Sequence, residues 1–495
     1  MEDASATTPP VVSAHPLREL LGVAAPTVAT MTSYTLMQFV DKFMVSKIGP
    51  DPVYVGAQGN GGLAAFVPIS IAMGALTVIN TYVSQNSGAG RPERGPAYAW
   101  NGLWIALAYW LALLVPCGFA LPWIFRVSGM DPEQARLGGT FGQILIFGSV
   151  LTMWTRAVSQ FFYGMHKAGI VLIAGVAANV LNLVLNCTLI YGSGPMPAEF
   201  GAFGRLCHAI ASGLGLPPLG ITGSAIGTVI ATAVELAIPM SVFLGPRLNA
   251  LYRTRTQWRP SRGHIRDLLR IGWPIGLMFG NEMICWGYFM VYLVSHFGKL
   301  HATAGWIAHQ YMQLSFMPAV GISVACTAVV GKYMGMGRPD LAANRAWLAL
   351  RLAMGYMAIC AVVFVVFRRQ LIGLFIQSDT APGDVAEVVR LGSLFLIATA
   401  AFQAFDAMAM TTSGALRGAG DTVYPGMATM VLSWVVIVGG GTAMVEFRPG
   451  LSSLGPWIAA ASYIILLSLL LLGRFLTGKW KGLRLLDHAA GVSAA

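Results

Sequence analysis

Long apolar stretches broken by short polar ones set the rhythm of this 495-residue chain. Residues 52–90, 95–125, 168–198, 302–331, 422–445 and 449–473 each contain no Asp, Glu, Lys or Arg. A bilayer core is crossed by about 20 apolar residues in a helix, so several of these runs each hold a span. The purest is WIAAASYIILLSLLLLG at 457–473. Twelve helices fit the whole pattern, at 19–46, 60–85, 97–125, 137–162, 168–192, 221–245, 267–296, 305–332, 343–367, 387–413, 425–445 and 456–475. The Gly/Pro-rich loop 193–220 has room for one short interfacial helix at 203–214. The expected class is an all-α polytopic membrane protein.

The pattern repeats. Arg18, Leu20, Leu21 and Pro26 recur as Arg266, Leu268, Leu269 and Pro274, each 248 positions later. Gly88-x-Gly90-Arg91-Pro92-Glu93, with Ala99-Trp100 behind it, recurs as Gly335-x-Gly337-Arg338-Pro339-Asp340 with Ala346-Trp347. Each half then holds six helices, an even number, so both halves enter and leave on the same side. A pseudo-two-fold axis along the membrane normal is expected. The implied division is a disordered cytoplasmic tail at 1–16, six-helix lobes at 17–245 and 265–475, a cytoplasmic linker at 246–264, and a cytoplasmic tail at 476–495.

Composition agrees with membrane insertion: 56% of residues are hydrophobic and 10% charged, with a mean hydropathy of +0.66. Soluble domains carry about a quarter charged residues. The net charge of +11 is not a nucleic-acid signal, because seven arginines cluster at 247–270 between two apolar blocks. Such a cluster marks a cytoplasmic loop, so both termini are expected inside. The six cysteines show no C-x-x-C and no metal spacing. The acidic, Pro-rich start lacks the basic region of a secretory signal.

Against this apolar background stand four acids inside expected spans, Asp41, Glu235, Glu282 and Asp406. Each costs about 2.5–3.5 kcal/mol at a helix centre, so a compensating role is called for. A cation or proton pathway is one role, and a hydrogen bond to a neighbouring helix is the plainer one. Residues three and four apart share a helix face, which groups Phe279, Glu282, Trp286 and Phe289, and separately Phe402, Gln403, Asp406 and Met410. An acid among aromatic rings suits an organic cation through charge and cation–π attraction. In the first half, Asn179, Asn182 and Asn186 lie on the fifth helix and Thr228 on the sixth. With Asp41 and Gln38 they are candidate oxygen ligands for a hard cation. Interhelical hydrogen bonding is the alternative. No nucleotide, metalloprotease or nucleophile-elbow motif is present.

Four pieces carry a resemblance: Val40-Asp41 late in the first helix, SQNSGAG at 84–90, Glu282 eight residues after Pro274, and SGALRGAGDTVYP at 413–425. Over residues 17–475 the chain resembles the multidrug and toxic compound extrusion family, and looks like its bacterial NorM-type branch. The resemblance implies a twelve-helix, two-lobe antiporter of the inner membrane that exports organic cations or drugs against Na+ or H+. Neither an enzyme activity nor a cofactor beyond the coupling ion is implied. Asp41, Asn182, Asn186 and Thr228 match the family's first-lobe cation site, which would hold Na+. Glu282 and Asp406 match its second-lobe acids. One departure is Asn186, where proton-coupled archaeal relatives carry an Asp. Glu235 belongs to no motif of the family. A monomer already holds a full pathway. The competing readings are a lipid-linked oligosaccharide flippase of the same superfamily and, from other classes, a membrane-embedded enzyme or an ion channel. A flippase would need more Arg and Lys in its spans than Arg156 and Arg351.

Overall fold

The computed structural model describes residues 12–49, 53–375 and 382–486. Among them are 12 helices long and apolar enough to cross a membrane. They are α1 (Pro16–Ser46), α2 (Val53–Gly88), α3 (Pro92–Val127), α4 (Pro132–Gly164), α5 (Ala168–Tyr191) and α6 (Ile221–Phe243) in the first half. The second half supplies α7 (Arg262–Phe297), α8 (Lys299–Gly335), α9 (Pro339–Val366), α10 (Gly383–Ala419), α11 (Val423–Phe447) and α12 (Leu454–Leu476). All twelve expected spans are present, and most run a few residues past their apolar core. Proline explains several of the early starts. Pro16, Pro92, Pro132 and Pro339 sit in first turns, where the missing N–H costs nothing. The expected short helix in the 193–220 loop is Gly201–Gly213.

Helices are the form such a chain must take, since lipid offers no partner for free backbone groups. Interior prolines such as Pro26 and Pro274 break that rule locally. Beside Pro26, whose missing N–H frees the carbonyl of Gly22, the Thr30 hydroxyl donates back to the Pro26 carbonyl at 2.8 Å. Single π-type turns interrupt α3 at Trp110–Leu114, α7 at Phe289–Val294 and α11 at Ser433–Gly440.

The packing is two-fold. Within the first half α2 packs on α4, α3 on α4, α4 on α6, α5 on α6 and α1 on α5. The second half repeats each pair as α8 on α10, α9 on α10, α10 on α12, α11 on α12 and α7 on α11. Between halves, α1 on α8 is matched by α7 on α2. Exchanging the halves maps this scheme onto itself, as an axis along the membrane normal demands.

The repeated glycines show why the motif occurs twice. On Gly88 a Cβ would strike the Lys332 carbonyl, and on Gly335 it would strike the Gln85 carbonyl. The two contacts are exchanged by the repeat. On the axis itself Gly331 meets Ser84. Past each glycine the chain turns alike, with Gly90 at φ 73° and Gly337 at φ 69°, a conformation that favours glycine. Arg91 N–H donates to Asn86 O and Arg338 N–H to Tyr333 O, both at 2.9 Å. The face carrying these turns also carries the linker, and α2 and α8 close it.

The linker is more structured than its polarity suggests. Pro246–Tyr252 is helical, and α7 begins at Arg262, inside the expected 246–264 stretch. Tryptophans of α3 tie down what remains. Trp100 Nε1 donates to Thr254 O and Trp104 Nε1 to Trp258 O, each at 2.7 Å. Of the expected tails, residues 1–11 and 487–495 lie outside the described residues. The nearer part of the second tail is packed, with Trp480 buried and stacked on Phe475.

Candidate functional site

In the first half, α1, α5 and α6 converge on one polar chain inside apolar packing. Asp41 is 8% exposed, Asn182 1% and Asn186 0%. Asn186 Nδ2 donates to Asp41 Oδ1 at 2.7 Å and to Asn182 Oδ1 at 3.1 Å. Asn182 Nδ2 donates to Thr228 Oγ1 at 3.3 Å, and that hydroxyl donates to Ser224 O at 3.0 Å. The spacing of Asn182 and Asn186, one helical turn apart, is what lets both amides meet. All four expected residues therefore touch in sequence. Gln38 does not join them and is exposed.

Two features leave this cluster incomplete as it stands. Asn186 Oδ1 is buried with no partner, and so are both amide atoms of Asn179, two turns earlier. Buried polar groups without partners are rare in folded proteins and call for an explanation. One carboxylate plus several neutral oxygens is a donor set that fits a hard monovalent cation. Among the described residues no cluster of three His, Cys, Asp or Glu could hold a metal, so the set differs from a divalent site.

In the second half, Glu282 of α7 accepts a hydrogen bond from Tyr463 of α12, at 3.1 Å from Oε1. Asp406 of α10 lies within electrostatic range of both Glu282 and Tyr463. Tyr463 was not signalled by the sequence, because one tyrosine in an apolar run has no distinguishing spacing. Glu282 and Asp406 keep partial accessibility, on spans whose outer faces expose apolar residues such as Ile284 and Ile397.

The aromatic residues divide. Trp286 is partly accessible beside His309, at 6.3 Å between ring centres. Phe279 packs against Gly74 of α2, 3.0 Å from where a Cβ would stand. Phe289 is a core ring, fully buried against Trp286 and Trp457. Gln403 is 1% exposed and donates to Ser315 Oγ at 2.9 Å, joining α10 to α8. Phe402 is fully buried.

Glu235 of α6 is spoken for, since the hydroxyl of Tyr34 on α1 donates to its Oε1. Tyr34, one tyrosine among the Thr and Ser of its span, carries no distinguishing spacing in the sequence. Arg156 lies in electrostatic range of Tyr34 and Tyr163, and Tyr163 of Glu235.

The chain is similar in sequence to proteins described as "Probable multidrug resistance protein NorM". The one from Burkholderia pseudomallei (strain K96243) is 28% identical over 478 residues, covering 95% of each chain. The one from Pseudomonas aeruginosa is 28% identical over 490 residues, covering 97% of this chain and 92% of the relative. Among solved structures, a MATE protein in complex with MaL6 aligns with a TM-score of 0.81. Its identity is 20%, covering 94% of this chain and 97% of the other, a likeness that speaks for the fold. The MatE family model matches residues 26–188 and 274–440, one block in each half. With the helix scheme and the matched blocks agreeing, this twelve-span membrane protein belongs to the MatE family.

Proposed function

We propose that this protein is a secondary antiporter of a bacterial inner membrane, exporting organic cations and drugs by alternating access in exchange for Na+ or H+. The observation that carries this reading is the pair of acids Glu282 and Asp406 facing the interior together, with Tyr463 as their neighbour. Two carboxylates in a low-dielectric interior attract a cationic cargo strongly, and Trp286 adds a partly accessible aromatic face. The names of the sequence relatives support a multidrug cargo.

Coupling belongs to the Asp41 cluster. An ion bound by Asp41, Asn182, Asn186 and Thr228 favours one arrangement of α1, α5 and α6. Since α1 also packs on α8, that preference reaches the other half. A ligand shifts such an equilibrium only by its differential affinity for the two states. Cargo and ion each need to prefer one state for exchange to occur.

The test is ethidium efflux from proteoliposomes holding the full-length protein, with Na+ and H+ gradients imposed separately. Efflux driven by one gradient and abolished by Asp41→Asn supports the reading. Efflux independent of both gradients overturns it.

A further inference from the structure

Two arginines in the interior form no ion pair among the described residues, and Glu235 is linked to Arg156 only through Tyr34 and Tyr163. Arg156 of α4 makes no hydrogen bond and no ion pair among the described residues, and its Nε is buried and unpartnered. Arg417 of α10 reaches only Ser323 Oγ, at 3.5 Å, and its Nε is likewise unpartnered. Both keep partial accessibility within a packed interior. They lie in electrostatic range of each other, across the two halves.

The surroundings fix where this is. Thr81 Oγ1 donates to Arg417 O at 2.9 Å, placing the end of α10 against α2. Gly164 of α4 packs on Asn80 and Val83 of the same stretch of α2. Gln160, one turn beyond Arg156, has a buried and unpartnered Nε2. Arg417 thus sits where α2 and α8 close the linker face, with Gln160 and Arg156 one and two turns further inward along α4 from Gly164. The unpartnered atoms of Arg156, Arg417 and Gln160 are all donors, while Asn80 Oδ1 nearby is an unpartnered acceptor.

We propose that Arg156 and Arg417 form an anion subsite at the linker-face end of the interior, which takes the carboxylate of a zwitterionic cargo. Like charges brought together out of water are costly unless an anion joins them. Guanidinium groups match a carboxylate in plane and in charge. Glu282 and Asp406 in the same interior disfavour a compact dianion such as pyrophosphate. A cargo with one carboxylate and one amine or quaternary nitrogen satisfies both ends. Naming the ligand as cargo rests on the export reading above, but its recognition is measured without transport.

The test uses the full chain in nanodiscs and three fluorescent probes: zwitterionic tetramethylrhodamine, its methyl ester, and ethidium. Arg156→Gln and Arg417→Gln each weaken binding of the zwitterion on the order of tenfold, the loss expected for one charge-assisted contact. Affinities for the ester and for ethidium stay within about twofold, which also shows that the variants are folded. Arg417→Lys, keeping the charge, recovers part of the loss. Wild-type protein supplies an arm that needs no variant: acetate displaces the zwitterion and leaves ethidium bound. Equal weakening of the ester, unchanged zwitterion binding, or no competition by acetate overturns the proposal. Chloride competing as well as acetate assigns the site to an inorganic anion and overturns the carboxylate assignment. Ion-driven ethidium efflux is a separate readout, so loss of the export reading and loss of this site are told apart.

Discussion

Glu19 and Asp267 stand at the same point of the two repeats, 248 residues apart, yet they are held in different ways. Glu19 of α1 crosses to the other half. Its carboxylate lies 2.7 Å from Lys332 Nζ and 3.1 Å from Arg345 Nε, and Tyr333 OH donates to it at 2.8 Å. Asp267 of α7 also crosses, but to phenols. Tyr98 OH donates to its Oδ2 at 3.2 Å and Tyr82 OH to its backbone oxygen at 3.0 Å. Arg345 and Tyr98 are themselves repeat counterparts, 247 residues apart. The fold is two-fold while its linker-face lock is ionic on one side and neutral on the other.

That asymmetry makes the first prediction. The Glu19 side chain is 8% exposed and Arg345's 7%, so removing the acid strands nearly buried cations. Glu19→Gln should destabilise the detergent-solubilised protein by roughly 3 kcal/mol, the range for breaking a buried pair. Asp267→Asn keeps an acceptor for Tyr98 and should cost about 1 kcal/mol or less. Thermal unfolding of the two variants side by side measures the difference. Equal shifts would show that the ionic lock contributes nothing special.

The second prediction concerns the glycine contacts. Gly88 has no room for a methyl group because the Lys332 backbone, not a flexible side chain, stands in the way. Gly88→Ala should push α2 and α8 apart and loosen the linker face, at about 1–3 kcal/mol for an overpacked contact. Cys326, fully buried on α8, is a native reporter. With the other five cysteines replaced, its labelling by a membrane-permeant maleimide should rise in Gly88→Ala and in Gly335→Ala. Gly355, which has open space around it on α9, is the control and should tolerate Ala unchanged.

How much of this was legible beforehand follows from range. Span positions, the repeat and the Asn182–Asn186 pairing depend on spacing within one helix, and periodicity reports that directly. The meeting of Asp41 with Asn186 joins positions 145 apart, and no local pattern encodes it. It came instead from the resemblance. Tyr463, Tyr34 and the Arg156–Arg417 pair had neither route. Each is a single residue on one span whose meaning lies in what another span brings to it. Phe289 shows the converse limit, since a stripe at helical spacing cannot say which of its rings faces a cavity and which the core.

The third prediction separates cargo binding from folding. Tyr463→Phe removes the hydroxyl that donates to Glu282 and leaves the buried ring, so the protein should fold and insert normally. Losing one hydrogen bond to a charged acceptor should weaken binding of a cationic dye by roughly tenfold. Glu282→Gln should weaken it further, and the double variant should add little, because the two residues act on one contact. Additive losses measured by dye-binding titration would mean that Tyr463 touches the cargo independently.

The last prediction concerns which ion drives export. A lone buried carboxylate favours its protonated form, which points to H+. Neutral oxygens beside it alter the balance, because they ligate a metal ion well and add less for a proton. Here the Asn186 amide bridges Asp41 Oδ1 and Asn182 Oδ1, the two oxygens that a bound Na+ would draw together. Turning that amide over presents the unpartnered Asn186 Oδ1 as one more ligand. Na+ is therefore the expected coupling ion. Asp41→Asn should abolish ion-driven efflux and Asn182→Ala should weaken the Na+-driven part. Asn186→Asp places a second carboxylate at hydrogen-bond distance from Asp41, and two acids so close share a proton. That variant should shift efflux from Na+ towards H+ dependence in vesicles with each gradient imposed alone. Strong export by the unaltered protein under a H+ gradient, with no Na+ present, would assign the proton instead.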